Sequence, residues 1–471
     1  MRNHRKIIIG MIAGLCLSGV AVSDQNTLTE HQRLARDIFK TVIEMDTSTT
    51  RHETPKMAAY LAGLFKNAGF PDEDVQQVTI SPTHTSLIVR YRGADQDAKG
   101  IGFLGHMDVV TAFKKDWVLD PFTLTEQDGY FIGRGTSDNK AGVVGLTASF
   151  LKLKESGFQP QRNIILILTA DEETSMASAH HIAQNMADEI NIEYGINSDG
   201  LSGILAPDGS IYGYFVQGAE KSYRSVELTV RNSGGHSSAP RADNAIYELA
   251  AALKKIESFQ FPVVINEINA GMLTFAKGTA DQKTSAAIDR LLDNPRDAEA
   301  ASIVSMDDNL RSTIRTTCVA TMLSAGHAEN ALPQSATATV NCRIMPSTDP
   351  KEIYRTLSEV VGNDAVEVKP LREAAIAPPS PMRQDILDAI SYAITPDYPD
   401  VELVPFMASY GTDGLEFRAA GIPVYGSAGF FAKPSDINAH GLNEKIPVQT
   451  FYKTLGYWER LMTRLAGTAK N

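Results

Sequence analysis

Asn163-Ile-Ile-Leu-Ile-Leu-Thr169, followed closely by Asp171-Glu172-Glu173, is the stretch of sequence that decides the fold. The apolar run has the length of a buried strand, and it brings three adjacent carboxylates to the strand's carboxyl end. Open α/β sheets bind their ligands at that end. Neighbouring carboxylates repel one another unless cations or hydrogen bonds hold them ionised. We therefore predict a cation site here, and the alternative is a solvated acidic loop.

Segments on either side of this strand alternate between strand and helix patterns. An apolar strand over 100–105 runs directly into His106, and a helix is predicted over Lys140–Glu155. A further strand over 193–197 ends just before Asp199. This βαβα order predicts a mostly parallel sheet with helices on its faces.

Beyond Asp199 the pattern changes to the order β-α-β-β-α-β, which suggests a small α+β domain with a ferredoxin-like layout. The six predicted elements are 225–231, 244–259, 316–323, 336–345, 349–361 and 365–370. A polar, helix-prone segment from Val264 to Arg315 is predicted as an insertion within this domain.

The chain has 471 residues, which is too long for one simple core, so two domains are expected. The fold class is α/β. Residues 24–216 and 376–471 are predicted to form a larger domain with a mostly parallel sheet, interrupted by the smaller domain over 217–375. The proline-rich stretch from Ala377 to Pro381 is the predicted crossing back into the larger domain.

The bulk composition indicates an ordinary globular protein, with 43% hydrophobic and 21% charged residues. The formal net charge is −12, and no basic stripe appears along the chain. This charge argues against nucleic acid as a partner.

Residues 1–23 resemble a cleavable signal peptide. Arg2, Arg5 and Lys6 precede an apolar run over 7–22 that ends in small residues. This pattern predicts export to the periplasm or the medium, with no stable membrane span after cleavage. A membrane anchor is the alternative, but the run is short for a bilayer-crossing helix and contains several glycines.

The mature chain keeps two cysteines, Cys318 and Cys342, on neighbouring predicted strands. A disulfide between these strands and two separate buried thiols both fit the sequence.

Histidines and carboxylates recur at the predicted strand and helix ends, namely at His106, Asp108, Asp138, Asp199 and His440. Taken singly, each has a structural explanation, such as a histidine bonded to a turn aspartate or a helix-capping carboxylate. Taken together, they fall at successive ends of elements of one predicted sheet. We interpret them, with Glu173 as a further ligand and Glu172 as the base, as a two-metal hydrolytic centre.

A set of motifs in this order resembles the M20 metallopeptidase family. The motifs are Gly105-His106-Met107-Asp108, Gly133-Arg134-Gly135 with Asp138 and Lys140-Ala141-Gly142, Asp171-Glu172-Glu173, Asp199, Gly235-His236-Ser237, and His440 with Asn443-Glu444. The resemblance extends over essentially the whole mature chain. The family includes glutamate carboxypeptidases, aminoacylases, carnosinases and succinyl-diaminopimelate desuccinylases.

The resemblance implies a role for each matching residue. Asp138 would bridge two Zn²⁺ ions, for which Co²⁺ or Mn²⁺ are possible substitutes. His106 and Asp199 would complete one site, and Glu173 and His440 the other. Glu172 would act as general base and acid, and Asp108 would support His106.

The inserted domain would then be a lid and a surface for a homodimer. His236 would polarise the scissile carbonyl, often from the partner subunit, and Asn330 and Arg343 would bind the substrate carboxylate.

The expected function is therefore that of an exported two-zinc amidohydrolase acting on a small peptide, as a carboxypeptidase or dipeptidase, or on an N-acyl amino acid. An N-acyl-amino-acid deacylase without a peptidase role is the first alternative. A non-catalytic peptide-binding protein on the same frame is the second.

Overall fold

The computed structural model describes residues 28–200, 202–371 and 376–467. The predicted signal peptide over 1–23 lies outside the described residues. None of the helices in the described ranges is both long and apolar enough to cross a membrane.

The helices are α1 (Glu30–Ile43), α2 (Thr54–Asn67), α3 (Lys140–Glu155), α4 (Ala177–Asn185), α5 (Ala187–Ile190), α6 (Ala245–Ser258), α7 (Glu267–Ala276), α8 (Gln282–Asp293), α9 (Ala298–Val304), α10 (Asp308–Ile314), α11 (Pro350–Val361), α12 (Gln384–Ile394), α13 (Gly414–Ala419) and α14 (Val448–Ala466).

The strands are β1 (Val75–Ser81), β2 (His84–Tyr91), β3 (Gly100–His106), β4 (Thr125–Gln127), β5 (Tyr130–Ile132), β6 (Ile164–Thr169), β7 (Ile192–Asn197), β8 (Gly203–Leu205), β9 (Ile211–Glu220), β10 (Ser222–Arg231), β11 (Gly235–His236), β12 (Thr317–Ala325), β13 (Ala331–Leu332), β14 (Ser335–Ile344), β15 (Val366–Pro370), β16 (Leu403–Ala408), β17 (Val424–Gly426), β18 (Phe431–Ala432) and β19 (Lys445–Pro447).

A large sheet in the order β1-β2-β6-β3-β7-β17-β9-β8-β18, with β16 paired to β9, forms the centre of the molecule. Its middle strands β6, β3, β7 and β17 are parallel to one another, as predicted. Antiparallel pairing is confined to one edge, at β1 and β2, and to the region around β9.

Strand β6 is buried at every position because both faces of the large sheet are covered. Ile164, Leu166 and Leu168 pack in the core shared with α1, α2, α3, α12 and α14. Ile165 and Ile167 point to the opposite face and pack with α4 and α13. The period of two along a strand thus divides one apolar run between two helical layers.

A smaller antiparallel sheet has the order β12-β14-β10-β15, which is the strand order expected of the ferredoxin-like layout. Helices α6 and α11 cover one of its faces with a separate apolar core. The opposite face carries alternate side chains such as Tyr223, Thr339 and Arg343, and it is turned towards the large sheet across a cavity.

The segment over 264–315 forms α7 to α10, with a small core of its own. It lies between α6 and β12 in sequence, as predicted for an insertion in the smaller domain. In space, however, α7 packs on strand β16 of the large sheet. Gly271 lies close against Pro405, where a side chain at 271 would clash. The reason is that β16 sits beside β9 with a face that needs an apolar cover, and α7 supplies it.

Cys318 and Cys342 form a disulfide between directly opposed positions of β12 and β14. Of the two possibilities left open by the sequence, the described fold has the bond between the strands. The domain boundary predicted between residues 216 and 217 falls within β9, and the first strand of the smaller sheet starts at Ser222.

Candidate active site

Three neighbouring parallel strands end at the same edge of the large sheet. Strand β3 ends at His106, β6 ends at Thr169 just before the three carboxylates, and β7 ends at Asn197, two residues before Asp199. Because parallel strands point their carboxyl ends to one edge, these side chains meet there, as predicted.

Asp138 lies at the centre of this group. Its Oδ1 is 3.0 Å from His106 Nε2, and its Oδ2 is 3.2 Å from His440 Nε2. The same nitrogen of His440 is 3.0 Å from Glu173 Oε1. One oxygen of Asp138 thus faces each histidine, which is the arrangement required of a carboxylate that bridges two cations.

The ring of His106 is oriented by main chain, since its Nδ1 lies 3.0 Å from the carbonyl oxygen of Asp108. The Asp108 carboxylate accepts hydrogen bonds from the amides of Glu172 and Glu173, at 3.1 and 3.0 Å. Asp108 therefore acts at two places: its carbonyl fixes the imidazole with Nε2 turned towards Asp138, and its side chain positions the two glutamates.

The three adjacent acidic residues after β6 have three different environments. Asp171 caps the start of α4, accepting hydrogen bonds from the amides of Ala177 and Ser178 at 2.9 Å. Glu173 pairs with His440. Among the described residues, the Glu172 carboxylate has no hydrogen-bond partner, and it faces the cavity.

Burial strongly affects the ionisation of these groups when no cation is present. It raises the pKa of Glu172, an effect reinforced by the charges of Asp199, Asp413 and Glu173 although opposed by that of His106. Burial and the charge of Asp138 likewise raise the pKa of Asp199. Hydrogen bonds to Asp138 and Glu173 raise the pKa of His440 to about 10. A bound cation would oppose the shifts at Glu172 and Asp199, because a nearby positive charge favours an ionised carboxylate.

The residues present fit a pair of divalent cations. Ligand atoms of His106, Asp138 and Glu173 all lie within 4.8 Å of one another. His440 contacts two of these residues, and Asp199 lies in the same cavity. Mixed histidine and carboxylate ligands suit Zn²⁺, with Co²⁺ and Mn²⁺ as alternatives.

Glu444 positions the loop that carries Asp138, a role that was not predicted, since Glu444 appears above only as part of a motif. Its buried carboxylate accepts hydrogen bonds from the amides of Gly135, Ser137 and Asp138, at 2.7–2.9 Å, and from Arg134 Nη1 at 2.7 Å. Its place four residues after His440 was the one available signal.

Asp413 is a second residue of the site that the sequence did not reveal. It is buried at the start of α13 and accepts a hydrogen bond from Thr169 Oγ1. Burial raises the pKa of Asp413 to about 7, which the Thr169 hydrogen bond opposes. No motif in the sequence connects it with the other carboxylates.

A cavity of about 950 Å³ lies between the carboxylate group and the open face of the smaller sheet. Its floor holds Glu172, Glu173, Asp199 and His440. Apolar and aromatic side chains line much of the remainder, namely Met176, Tyr223, Met322, Leu371, Tyr410, Leu415, Phe430 and Ile437.

The three predicted substrate-binding residues separate into two places. Arg343 lines the cavity, with its guanidinium 4.6 Å from the ring centre of Tyr223. His236 and Asn330 lie together at the paired strands β11 and β13, where both are exposed, and neither is among the residues that line this cavity.

Residues 102–464 match the peptidase family M20/M25/M40. Among similar proteins, the N-fatty-acyl-amino acid synthase/hydrolase PM20D1 of Xenopus tropicalis is 27% identical over 80% of this chain and 74% of that protein. A probable carboxypeptidase S-like 2 of Dictyostelium discoideum is 26% identical with the same coverage of both chains.

Solved structures share the fold. The M20 family metallo-carboxypeptidase Sso-CP2 of Sulfolobus solfataricus superposes with a TM-score of 0.69 at 18% identity, covering 92% of this chain and 99% of that one. The dinuclear metal-binding peptidase YXEP of Bacillus subtilis gives a TM-score of 0.59 at 11% identity, covering 93% and 99%. The chain therefore belongs to the peptidase family M20/M25/M40 and is a hydrolase of that family.

Proposed function

We propose that this protein hydrolyses the amide bond between an apolar acyl group and an amino acid. The observation that carries the proposal is the cavity, which joins the carboxylates at its floor to a wall formed by side chains such as Met322, Leu371 and Leu415. A hydrocarbon chain would gain free energy by leaving water for such a wall, at roughly 0.8 kcal/mol for each buried methylene. One similar protein bears a name that fits, an N-fatty-acyl-amino acid synthase/hydrolase.

Arg343 is the proposed anchor for the carboxylate of the amino acid. Its guanidinium has a planar fork of donors that suits two-point contact with a carboxylate. Stacking on Tyr223 holds the fork against the cavity wall. The anchor fixes one end of the substrate, and the apolar wall receives the other end.

The residues around Glu172 are suited to moving a proton from the attacking water to the leaving amine. Two divalent cations, when bound, would polarise the carbonyl and lower the pKa of water. Glu172 would take the proton of the attacking water and deliver it to the leaving amine. Hydrogen bonds from the amides of 172 and 173 to Asp108 hold the glutamate in place for both transfers.

The chain is further proposed to be exported and to use zinc. Support for export comes from the basic and apolar pattern over 1–23 and from the disulfide between Cys318 and Cys342, because such bonds persist in oxidising compartments. Support for zinc comes from the mixture of histidine and carboxylate donors around Asp138.

A homodimer through the smaller domain is also proposed. His236 and Asn330 are exposed at one end of that domain, away from the cavity of their own chain. A second copy would allow them to reach a cavity, as the resemblance to the family implies.

The second candidate function is hydrolysis of small peptides, as a carboxypeptidase or dipeptidase. The probable carboxypeptidase among the similar proteins favours it. Both reactions break an amide beside a carboxylate, so the nature of the acyl side distinguishes them.

The test is amine release by the zinc-loaded protein from N-acyl amino acids, from acetyl to palmitoyl, and from matched dipeptides. We expect kcat/KM to rise with acyl length and to exceed that for dipeptides. Glu172→Gln should lower turnover by at least about 100-fold, because the proton carrier is lost. It should leave the metal content and the fold unchanged.

Glu189→Gln, the same change at an exposed position on α5, is the matched control and should keep full activity. A preference for dipeptides would favour the second candidate over the first. Full turnover by metal-loaded Glu172→Gln would exclude Glu172 as the base.

A further inference from the structure

Tyr410 brings a phenol to the edge of the metal-binding carboxylates. It lies in the turn between β16 and α13 and lines the cavity together with Glu172 and Asp199. Its hydroxyl packs against Gly200, the residue after Asp199, where an added Cβ would lie 2.9 Å from the oxygen. The φ of Gly200 is +97°, so both conformation and space require glycine beneath the phenol.

The Tyr410 hydroxyl has no hydrogen-bond partner among the described residues, although carboxylates surround it. A tyrosine hydroxyl has an ordinary pKa of about 10, so the phenol keeps its proton at neutral pH. The tyrosine is 40% exposed, and it lines the cavity. It is therefore a free donor next to the floor of the site.

Other hydroxyls near the floor are already engaged. Ser137 Oγ donates to Glu444, and Ser175 Oγ donates to Asp171. Thr174 Oγ1 donates to the carbonyl of Asp171 at 3.3 Å. Of the described hydroxyls beside the carboxylate group, Tyr410 is the one that is available to a bound molecule.

The substrate itself indicates which atom would accept this hydrogen bond. In the proposed function, Arg343 holds the carboxylate and Glu172 supplies the proton of the leaving amine. The acyl chain contains no acceptor. The carbonyl oxygen of the scissile amide remains, and it gains negative charge as water attacks.

We propose that Tyr410 is a catalytic residue whose hydroxyl donates a hydrogen bond to the carbonyl oxygen of the scissile amide, resting on the function proposed above. The phenol keeps its proton throughout, and the hydrogen bond strengthens as charge develops on the oxygen. A donor of this kind lowers the barrier without taking part in proton transfer.

The test is Tyr410→Phe, which removes the hydroxyl and keeps the ring. We expect kcat to fall about 100-fold with KM nearly unchanged, as is typical when one donor to a developing oxyanion is lost. A phosphinate analogue of the substrate, which mimics the tetrahedral species, should bind more weakly by the same factor. The free amino acid product, which engages Arg343 alone, should bind as tightly as before.

Tyr247→Phe, which removes an exposed hydroxyl on α6, is the matched control and should change none of these quantities. A Tyr410→Phe protein with unchanged kcat, or with unchanged affinity for the phosphinate, overturns the assignment. A raised KM at constant kcat, or a loss of bound metal, also overturns it.

The outcomes separate the two proposals. If the metal-loaded wild type hydrolyses none of the amides, the proposed function fails, and the assignment of Tyr410 fails with it. If the wild type hydrolyses them and Tyr410→Phe does so equally well, the assignment of Tyr410 alone fails.

Discussion

Lys221 is a buried lysine at the point where the chain passes from β9 of the large sheet to β10 of the smaller one. Its Nζ donates a hydrogen bond to the carbonyl of Arg315, at 2.6 Å. Burial, with a smaller contribution from the charge of Arg343, lowers the pKa of Lys221 to about 7. In the folded protein this amine therefore loses its proton near neutral pH, whereas the same lysine in the unfolded chain remains charged at that pH.

This shift predicts a pH-dependent contribution to stability. Between about pH 7 and 10.5 the unfolded chain binds one more proton than the folded chain, so the free energy of unfolding rises with pH. The slope from one proton is at most about 1.4 kcal/mol per pH unit. Lys221→Met should remove this rise, as measured by urea unfolding of both proteins across the range.

Lys254→Met, at an exposed position of α6, serves as the control and should keep the rise in stability with pH that Lys221 causes. A constant difference between wild type and Lys221→Met over the same range would show that Lys221 keeps its ordinary pKa in the fold.

At the scale of residues, the sequence predicts which side chains gather but not how they divide their roles. The proximity of His106 and Asp138 was predictable, because apolar patterns in the sequence indicate where the strand and the helix that carry them end and begin. The different roles of Asp171 and Glu173 depend on α4. The first amides of this helix donate hydrogen bonds to Asp171, which turns that side chain away from the site. Asp413 was missed because its partner, Thr169, lies far away in sequence.

At the scale of elements, the disulfide fastens an edge strand that has one neighbour. Within the part of the chain that the structure describes, strand β12 pairs with β14 alone, and side chains along it, including Val319, Met322 and Leu323, are exposed. Cys318 joins β12 to Cys342, beside Arg343 on β14. The bond therefore holds β12 beside β14. Strand β12 supplies Met322 to the cavity wall, and β14 supplies Arg343.

We expect Cys318→Ala to lower the free energy of unfolding by about 3 kcal/mol, because the bond closes a loop between residues separated by 24 positions. Reduction of the wild type with dithiothreitol should have a similar effect. Urea unfolding with and without reductant measures both.

The variant is also the control, since Cys318→Ala should be insensitive to dithiothreitol. If reduction changes neither the wild type nor the variant, the bond does not stabilise the fold.

The elements were predicted unevenly, for a physical reason. Helix α3 was placed from its helical pattern, and strand β6 from its uninterrupted apolar run. Strand β9 was missed because two glycines interrupt its pattern, and because its partner β16 comes much later in the chain. Pairing with a distant strand leaves no local signal, and the packing of α7 on β16 was unpredictable for the same reason.

At the scale of the whole molecule, the cations would connect segments from distant parts of the chain. His106, Asp138, Glu173 and His440 come from different segments, so the full set of donors exists only in the folded protein. Cations that bind the folded state alone stabilise it, by about 2.7 kcal/mol when their free concentration is 100 times Kd.

Removal of metal by a chelator should therefore lower the melting temperature, and added Zn²⁺ should restore it. Asp138→Asn should lose most of this increment, because Asp138 contacts both histidines. Differential scanning calorimetry with and without Zn²⁺ measures the effect.

Asp208→Asn, in an exposed turn, should keep the whole increment. An equal response to Zn²⁺ in Asp138→Asn would place the stabilising cations elsewhere.

The pairing of β7 with β17 determines when the large sheet can be completed during synthesis of the chain. Strand β7 ends at Asn197, whereas β17 begins at Val424, so the middle of the large sheet stays open until the chain is nearly complete. The smaller sheet is finished earlier, at Pro370. An open apolar edge is prone to aggregation until its partner strand β17 has been synthesised. His440 also emerges late in synthesis, so a prematurely terminated chain would have neither a closed sheet nor a complete cation site.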